Sequence, residues 1–168
     1  RNGAKLIVRA KNILVEKSGK ITANEKGFAV TKGPAVGGDH KDANQTSYGV
    51  GAGHAGLHNH SLYKSATTRP YPVLTGYRAY GSMFEPMTHG SGGKQESCAG
   101  GGVIRLVVTG DITVDGTVSA NGTSGGSYGY SGAGGSVWIT VTGALRGAGV
   151  ISASAGKSKH DMAAGGGR

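Results

Sequence analysis

Apolar and polar residues alternate in a short stretch in the second half of the chain. Within residues 104–108, Ile, Leu and Val face one way, whereas Arg105 and Val107 face the other. A period of two with one apolar face is the signature of a half-buried β-strand. Two shorter apolar runs follow, around Ile112 and Val118, and Gly or Asn residues separate them. The pattern therefore predicts three short strands joined by tight corners.

The three-strand pattern recurs 33 residues later. Residues 102–123 align without a gap on residues 135–156, and apolar positions coincide, as at Leu106 and Ile139. Self-similarity at a fixed period is typical of repeat architectures in which each unit packs only on its neighbours. We interpret the period as a structural repeat.

A third, more divergent copy begins the chain. Ile13 lies 99 residues before Ile112, which is three periods of 33, and the match needs a two-residue insertion near Lys17. Stacked short strands with Gly corners predict an all-β fold, namely a parallel β-helix (β-solenoid) with long Gly-rich inserted loops. The alternatives are a hairpin meander and a β-sandwich, although a β-sandwich typically has a more aromatic core.

We expect a single domain made of three coils and two insertions. The coils are predicted over about residues 3–27, 101–122 and 134–156, with a loop-rich region over 28–100 and a smaller insertion over 123–133. The aromatic and methionine side chains of the larger insertion favour packing beside the solenoid over a disordered linker. Because no polar cap precedes or follows the strands, we expect a piece of a longer chain or a filament subunit.

Composition agrees with this picture and limits the partners. Glycine accounts for 34 of the 168 residues, which disfavours helices, and no strict three-residue period indicates collagen. The net charge of +9 favours polyanions such as acidic polysaccharide or a mineral surface. The positive residues are dispersed and form no recognised nucleic-acid module, so we expect no nucleic acid. No apolar stretch is long enough to predict a membrane span.

A histidine cluster is the candidate metal site. His54, His58 and His60 lie within seven residues, near Asp39 and His40 in the sequence. Imidazoles at spacings of four and two can converge on Zn²⁺ or Cu²⁺ in a loop. The competing interpretation is that these histidines form hydrogen bonds within a Gly-rich loop. No other cofactor is expected.

Three aromatic residues are candidate stacking platforms for a sugar. Trp138 takes the place of Arg105 one repeat later, so its side chain should point outward, and Tyr128 and Tyr130 lie in the smaller insertion. Flat aromatic faces bind the apolar faces of sugar rings. These residues support an alternative hypothesis, a carbohydrate-binding or adhesive module.

Sequons and a lone cysteine bear on the compartment. Asn44, Asn59 and Asn121 each begin an Asn-X-Ser/Thr sequon, an excess over chance that favours glycosylation and a secreted, extracellular protein. Cys98 is the single cysteine, so no internal disulfide can form; such a thiol pairs with another chain or stays buried, and Cys98 is a candidate for a cross-link to another chain.

Parallel β-helices include polysaccharide lyases and hydrolases, which gather carboxylates on one face. Here the nine acidic residues are scattered, and Asp111 and Asp115 at the ends of one strand have Ala144 and Ala148 one repeat later. Such aspartates are more typical of turn caps than of a catalytic pair. We therefore expect no enzyme, with a polysaccharide-cleaving enzyme as the least favoured alternative.

The order of these motifs resembles a known group of proteins. Residues 101–106 (GGVIRL), residues 112–122 (ITVDGTVSANG), a Gly/Ser/Tyr excursion and residues 134–140 (GGSVWIT) are similar to tandem Gly-rich repeats of large, mostly uncharacterised extracellular eukaryotic proteins. The resemblance implies a β-helix-like fold and a surface or matrix role. Together with the open ends, it favours a structural, self-associating matrix or filament protein whose basic surface holds an acidic polysaccharide or mineral.

Overall fold

The computed structural model of the protein is all-β. Within the described residues no helix occurs, and therefore none has the length and hydrophobicity needed to cross a membrane. The structure describes residues 3–41, 47–56, 79–94, 97–125, 130–157 and 164–168. Its strands are β1 (Lys5–Ala10), β2 (Ile13–Val15), β3 (Lys20–Thr22), β4 (Gly38–Lys41), β5 (Ser47–Val50), β6 (Val103–Val108), β7 (Ile112–Val114), β8 (Thr117–Ser119), β9 (Ser136–Val141), β10 (Leu145–Arg146) and β11 (Val150–Ser152).

Nine of these strands form three parallel sheets. Each sheet takes one strand from each of three stretches of chain, here called unit 1 (residues 5–22), unit 2 (103–119) and unit 3 (136–152). The strand orders are β1-β6-β9, β2-β7-β10 and β3-β8-β11, so unit 2 is central in every sheet. Parallel pairing throughout these sheets differs from the antiparallel sheets of a β-sandwich.

The register follows the sequence repeat between units 2 and 3, whereas units 1 and 2 depart from it and pair 98 residues apart in the first sheet. Units 2 and 3 pair 33 residues apart in all three sheets. Units 1 and 2 pair 99 residues apart at Ile13 and Ile112, but 97 residues apart at Ile21 and Val118. The two extra residues lie between β2 and β3, and this confirms the insertion predicted near Lys17.

The hydrophobic core is centred on unit 2. Its inward side chains are buried because strands of units 1 and 3 lie on both sides of them. Burying one such Val, Leu or Ile contributes about 1.5–3 kcal/mol relative to leaving it exposed. The buried members of unit 2 are Ile104, Leu106, Val108, Ile112, Val114 and Val118.

The larger insertion contains more regular structure than its sequence predicts. Strands β4 and β5 form an antiparallel hairpin in a stretch poor in Val and Ile, where strand propensity gives little signal. Of the apolar side chains that favour packing of this insertion, Met83 and Phe84 do not contribute to it, because they are 74% and 84% exposed. Tyr80, by contrast, packs against His54.

Buried glycine-rich segments form a second layer beside the sheets, here called the glycine layer (residues 90–93, 98–102, 131–135 and 164–167). They are not strands, yet backbone hydrogen bonds link them in series: Gly90 N to Gly101 O (2.9 Å), Gly101 N to Ala133 O (2.8 Å) and Gly134 N to Gly165 O (3.1 Å). This ladder satisfies backbone groups that burial would otherwise leave unpaired. The described part of the larger insertion is thereby fixed to the segments that precede β6 and β9.

The glycine layer depends on the lack of side chains. A Cβ atom at Gly101 would lie within 3 Å of the Ala120 carbonyl group and of Gly135 N, all of them backbone atoms. Since neighbouring backbone cannot move aside as a flexible side chain can, the segments would have to separate. At Gly166, a Cβ atom would meet nothing within 4 Å.

We expect Gly101→Ala to lower the melting temperature by about 4–8 °C. Overpacking of this kind costs about 2 kcal/mol, and each kcal/mol shifts the midpoint of a chain of this size by roughly 2–4 °C. Thermal denaturation followed by circular dichroism measures the change. Gly166→Ala is the matched control and should melt like the parent protein, whereas equal melting of the two variants would contradict the close packing of this layer.

Candidate functional site

The two ends of the strand stack lack a neighbouring strand in the described part of the chain, although at the unit 3 end Val137 N of β9 donates to Arg168 O at 2.7 Å. Among the described residues, no strand pairs with the outer edges of units 1 and 3. In unit 3 the inward side chains are also uncovered: Leu145 is 49% and Ile151 43% exposed, whereas their unit 2 equivalents Ile112 and Val118 are fully buried. An open groove of about 420 Å³ lies beside Ile151 and Arg168. The unit 3 end is therefore an apolar surface with free hydrogen-bonding groups.

The unit 1 end is strongly basic. Residues 3–27 contain two acidic side chains, Glu16 and Glu25, so their net charge is +4. Its inward residues Val15 and Ala23 are only 4% exposed, whereas the inward Leu6 is 39% exposed, so this end presents charge together with a smaller apolar surface. Lysine and arginine on outer strands oppose edge-to-edge pairing of like ends. The exposed cations are Lys5, Arg9, Lys11, Lys17, Lys20 and Lys26.

An aromatic and a cation meet on the outer face of the first sheet. Arg105 and Trp138 are neighbours in the register of β6 and β9, and the guanidinium carbon of Arg105 lies 4.0 Å from the centre of the indole ring. Cation–π contact of this kind contributes about 0.5–1 kcal/mol at an exposed site. Ile7 on β1 is the neighbour of Arg105 on the other side and is 43% exposed. The sequence predicts that Trp138 and Arg105 occupy equivalent positions, and the register confirms it.

His54 lies in a buried polar cluster. Its ring is fully buried, with Nδ1 2.7 Å from the Gly134 carbonyl oxygen and Nε2 2.8 Å from the Thr88 hydroxyl oxygen. Because a carbonyl only accepts, Nδ1 carries the proton, and the neutral Nε2 accepts a hydrogen bond from Thr88. The ring also packs against Tyr80, with centroids 4.9 Å apart. Burial lowers the pKa of His54, and the charges of Arg168 and His89 lower it further.

Both nitrogens of His54 therefore have protein partners. Metal binding there would require breaking at least the hydrogen bond at Nε2. The other predicted ligands, His58 and His60, lie outside the described residues, as does Asp42, while β4 contains Asp39 and His40. Within the part of the chain that the structure describes, no group of three metal-ligating side chains occurs. The metal site stays a prediction.

The cluster around His54 joins residues that sequence reasoning did not connect. The Tyr80 hydroxyl donates to the His89 carbonyl oxygen at 2.6 Å and lies 2.8 Å from the Ser91 hydroxyl. Burial raises the pKa of Tyr80 to about 12. The hydroxyl of Ser136 in β9 donates to the Thr88 carbonyl oxygen at 2.7 Å. The cluster thus attaches residues 80–91 to the first sheet, and no local pattern signals contacts over such separations.

We expect stability to fall as the pH drops below 6.5, the ordinary pKa of histidine. The pKa of His54 is lower in the folded than in the unfolded chain, so the unfolded chain binds the proton more readily and acid favours unfolding. The neutral His54 therefore contributes its full stabilisation above pH 6.5. Burial, followed by the charge of Lys5, lowers the pKa of His89 as well, so it acts in the same direction.

Thermal denaturation at several pH values between about 8 and 5 measures this dependence. His54→Gln should melt at a lower temperature throughout, because burial leaves its new amide imperfectly paired, but with a shallower pH dependence. The same slope in the variant and in the parent protein would contradict the assignment of a buried, neutral His54.

The aspartates considered as a catalytic pair serve as caps. Asp111 Oδ1 accepts from Ala144 N at 2.8 Å, and its Oδ2 accepts from Arg146 Nη1 at 2.7 Å. Those contacts lower the pKa of Asp111, the backbone hydrogen bond most of all. Asp115 Oδ1 accepts from Ala148 N at 3.1 Å. Each carboxylate therefore holds a corner of the next unit, and the predicted turn-capping role is confirmed.

Asn121 has an analogous structural role. Its Oδ1 accepts hydrogen bonds from Ser154 N and the Ser152 hydroxyl, at 2.8 and 2.7 Å. The equivalent Asn24 accepts from Asn121 N at 2.7 Å, so the contact repeats from unit to unit. Glycosylation at Asn121 stays a prediction. The other sequon residues, Asn44 and Asn59, lie outside the described residues, as does Tyr128.

Cys98 is buried rather than presented to another chain. Its side chain is 1% exposed and its thiol donates to the carbonyl oxygen of Tyr130, the other aromatic residue predicted from the smaller insertion. A thiol must reach its partner as an accessible thiolate in order to form a disulfide. The predicted cross-link would therefore need local opening of the glycine layer at residues 98–102.

We expect Cys98 of the native protein to react slowly with a soluble disulfide reagent. Burial excludes the reagent, so the reaction should wait for transient opening and become fast once denaturant unfolds the chain. Absorbance of the released thiolate follows the reaction. Rapid labelling of the native protein, as fast as that of the unfolded chain, would contradict the burial of this thiol and favour the cross-link.

Comparisons with protein-family models, with curated proteins and with solved structures find no match for this chain.

Proposed function

We propose that the chain is a β-solenoid segment of a structural, self-associating extracellular protein. Its three sheets and repeated register support the solenoid, because each sheet receives one strand per unit in the same order. Corner contacts repeat between units in the same way, as at Asn24 and Asn121. Such a stack buries a core only between neighbouring units, so each end remains competent to accept a further unit.

The exposed unit 3 end is the observation that carries the proposal. Leu145 and Ile151 are 49% and 43% exposed, at positions where unit 2 has fully buried residues. A further unit placed on this end would bury both side chains and pair the edges of β10, β11 and the part of β9 beyond Val137, whose N–H already donates to Arg168 O. Apolar burial and strand pairing would thus both favour stacking of a second copy.

The extracellular setting follows from sequence features. Three sequons and a resemblance to Gly-rich repeats of extracellular proteins support secretion. The capping roles of Asp111 and Asp115 support a structural function over polysaccharide cleavage. Each aspartate accepts a hydrogen bond from a backbone N–H of unit 3. Asp115 also lines an open groove with Glu16, but its Oδ1 is engaged by Ala148 N there.

We expect the isolated protein to form filaments that electron microscopy resolves, with a layer repeat near 4.8 Å along the stacking direction, the spacing of neighbouring strands. Ile151→Lys should shorten or abolish them, because it places a charge on the surface that stacking would bury. Sedimentation measures the loss of assembled mass.

Val150→Lys is the matched control. Val150 is adjacent in β11 and 56% exposed, but it faces outward beside Thr117, so a lysine there stays solvated when ends stack. Circular dichroism establishes that both variants remain folded. Compact monomers of the parent protein at high concentration, or equal loss of filaments in both variants, would contradict stacking through the unit 3 end.

A further inference from the structure

The outer face of the first sheet carries an arrangement of charges that stacking does not explain. On β1, Lys5, Ile7 and Arg9 alternate with the inward Leu6 and Val8, so the two cations share the outer face. Lys5 and Arg9 are exposed, as is Ile7 between them. Arg105 lies beside Ile7 on the neighbouring strand.

Lys5 and Arg9 on β1 and Arg105 on β6 are evenly spaced on this face. Alternate residues of a strand are about 6.6 Å apart and neighbouring strands about 4.8 Å apart, so successive Cβ atoms of Lys5, Arg105 and Arg9 are separated by roughly 8 Å. Among the described residues, Asp111–Arg146 is the ion pair, and none of the three cations has an acidic partner. Their charge is therefore available to a ligand.

Trp138 adds an aromatic surface beside Arg105, the middle one of the three cations. Arg105 lies against its ring, and the Nε atom of Arg105 is buried without an acceptor among the described residues. Stacking on an indole holds a guanidinium in place without neutralising its charge. The result is a preorganised cation next to a flat apolar surface, flanked by the two exposed cations Lys5 and Arg9.

We propose that this face, formed by Lys5, Arg9, Arg105 and Trp138, binds an acidic polysaccharide. Carboxylate or sulfate groups of the polysaccharide contact the cations on β1 and β6, while rings that extend across β6 towards β9 contact Ile7 and Trp138 with their apolar faces. A single indole with one face already covered offers no series of stacking platforms, which single-stranded nucleic acid would require. The inference rests on the proposed function for its extracellular setting, and it names the ligand class.

Trp138 is the single tryptophan of the chain and reports binding directly. We expect oligogalacturonate, a carboxylated probe, to change its fluorescence saturably, with an affinity that falls as salt rises. Neutral dextran should leave it unchanged. The triple variant Lys5→Gln/Arg9→Gln/Arg105→Gln should weaken binding by about tenfold or more.

The triple variant Lys17→Gln/Lys20→Gln/Lys157→Gln is the matched control, since it removes the same charge from exposed positions outside the first sheet. It should bind like the parent protein. In case loss of Arg105 disturbs the sheet, Lys5→Gln/Arg9→Gln keeps the cation–π pair and should still bind more weakly than the control.

Three outcomes would overturn the proposal: equal weakening in both triple variants, no fluorescence response to oligogalacturonate, or equally tight binding of an oligothymidylate of the same charge.

The titration uses dilute protein from the monomer fraction of a gel filtration run. Absence of filaments would leave this measurement intact, and absence of binding would leave the filament result intact. The two proposals therefore fail separately.

Discussion

Close approach of backbone to backbone is the constraint on which this structure depends. In the sheets, parallel ladders bring unit 2 into contact with units 1 and 3, and beside them the glycine layer repeats the arrangement without strand geometry. A side chain at Gly101 would collide with the carbonyl group of Ala120, so the high glycine content is a packing requirement. Hydrogen bonds between segments thus replace much of the apolar core that a chain with 36% hydrophobic residues lacks.

Side chains reinforce the same arrangement at the corners. Asn12 accepts from Asp111 N, and Asp111 in turn accepts from Ala144 N, so one corner position carries a contact from unit to unit. The series ends at unit 3 because Ala144 has no acceptor to offer a further unit. Corner contacts therefore fix the register within this chain, whereas stacking of a second copy on unit 3 would rely on backbone edges and apolar side chains there.

The sequence predicts the sheets well because their signals are local and periodic. Alternation within residues 104–108 and the offset of 33 suffice to pair β6 with β9, and a count of residues near Lys17 places the insertion. The cluster of His54, Thr88 and Tyr80 could not be predicted, since its members are separated by stretches that have no periodicity. Burial of Cys98 is one of two alternatives that the sequence leaves open, and the sequence does not choose between them because glycine segments without an apolar pattern give no sign of being interior.

The ends of the stack differ, and the difference bears on how the two proposals relate. Unit 1 contributes a net charge of +4 over residues 3–27, while unit 3 offers apolar surface, so two unit 1 ends repel and a unit 1 end meets a unit 3 end with less opposition. Copies should then stack head to tail, with the unit 1 end of one on the unit 3 end of the next, and the filament should have a direction. Repulsion still remains, because Arg146 and Arg168 make unit 3 and its flank positive. A polyanion along Lys5 and Arg9 would neutralise part of the unit 1 charge without covering the strand edge, and would thereby favour assembly electrostatically. On this argument the polysaccharide and the second copy occupy different surfaces and reinforce each other.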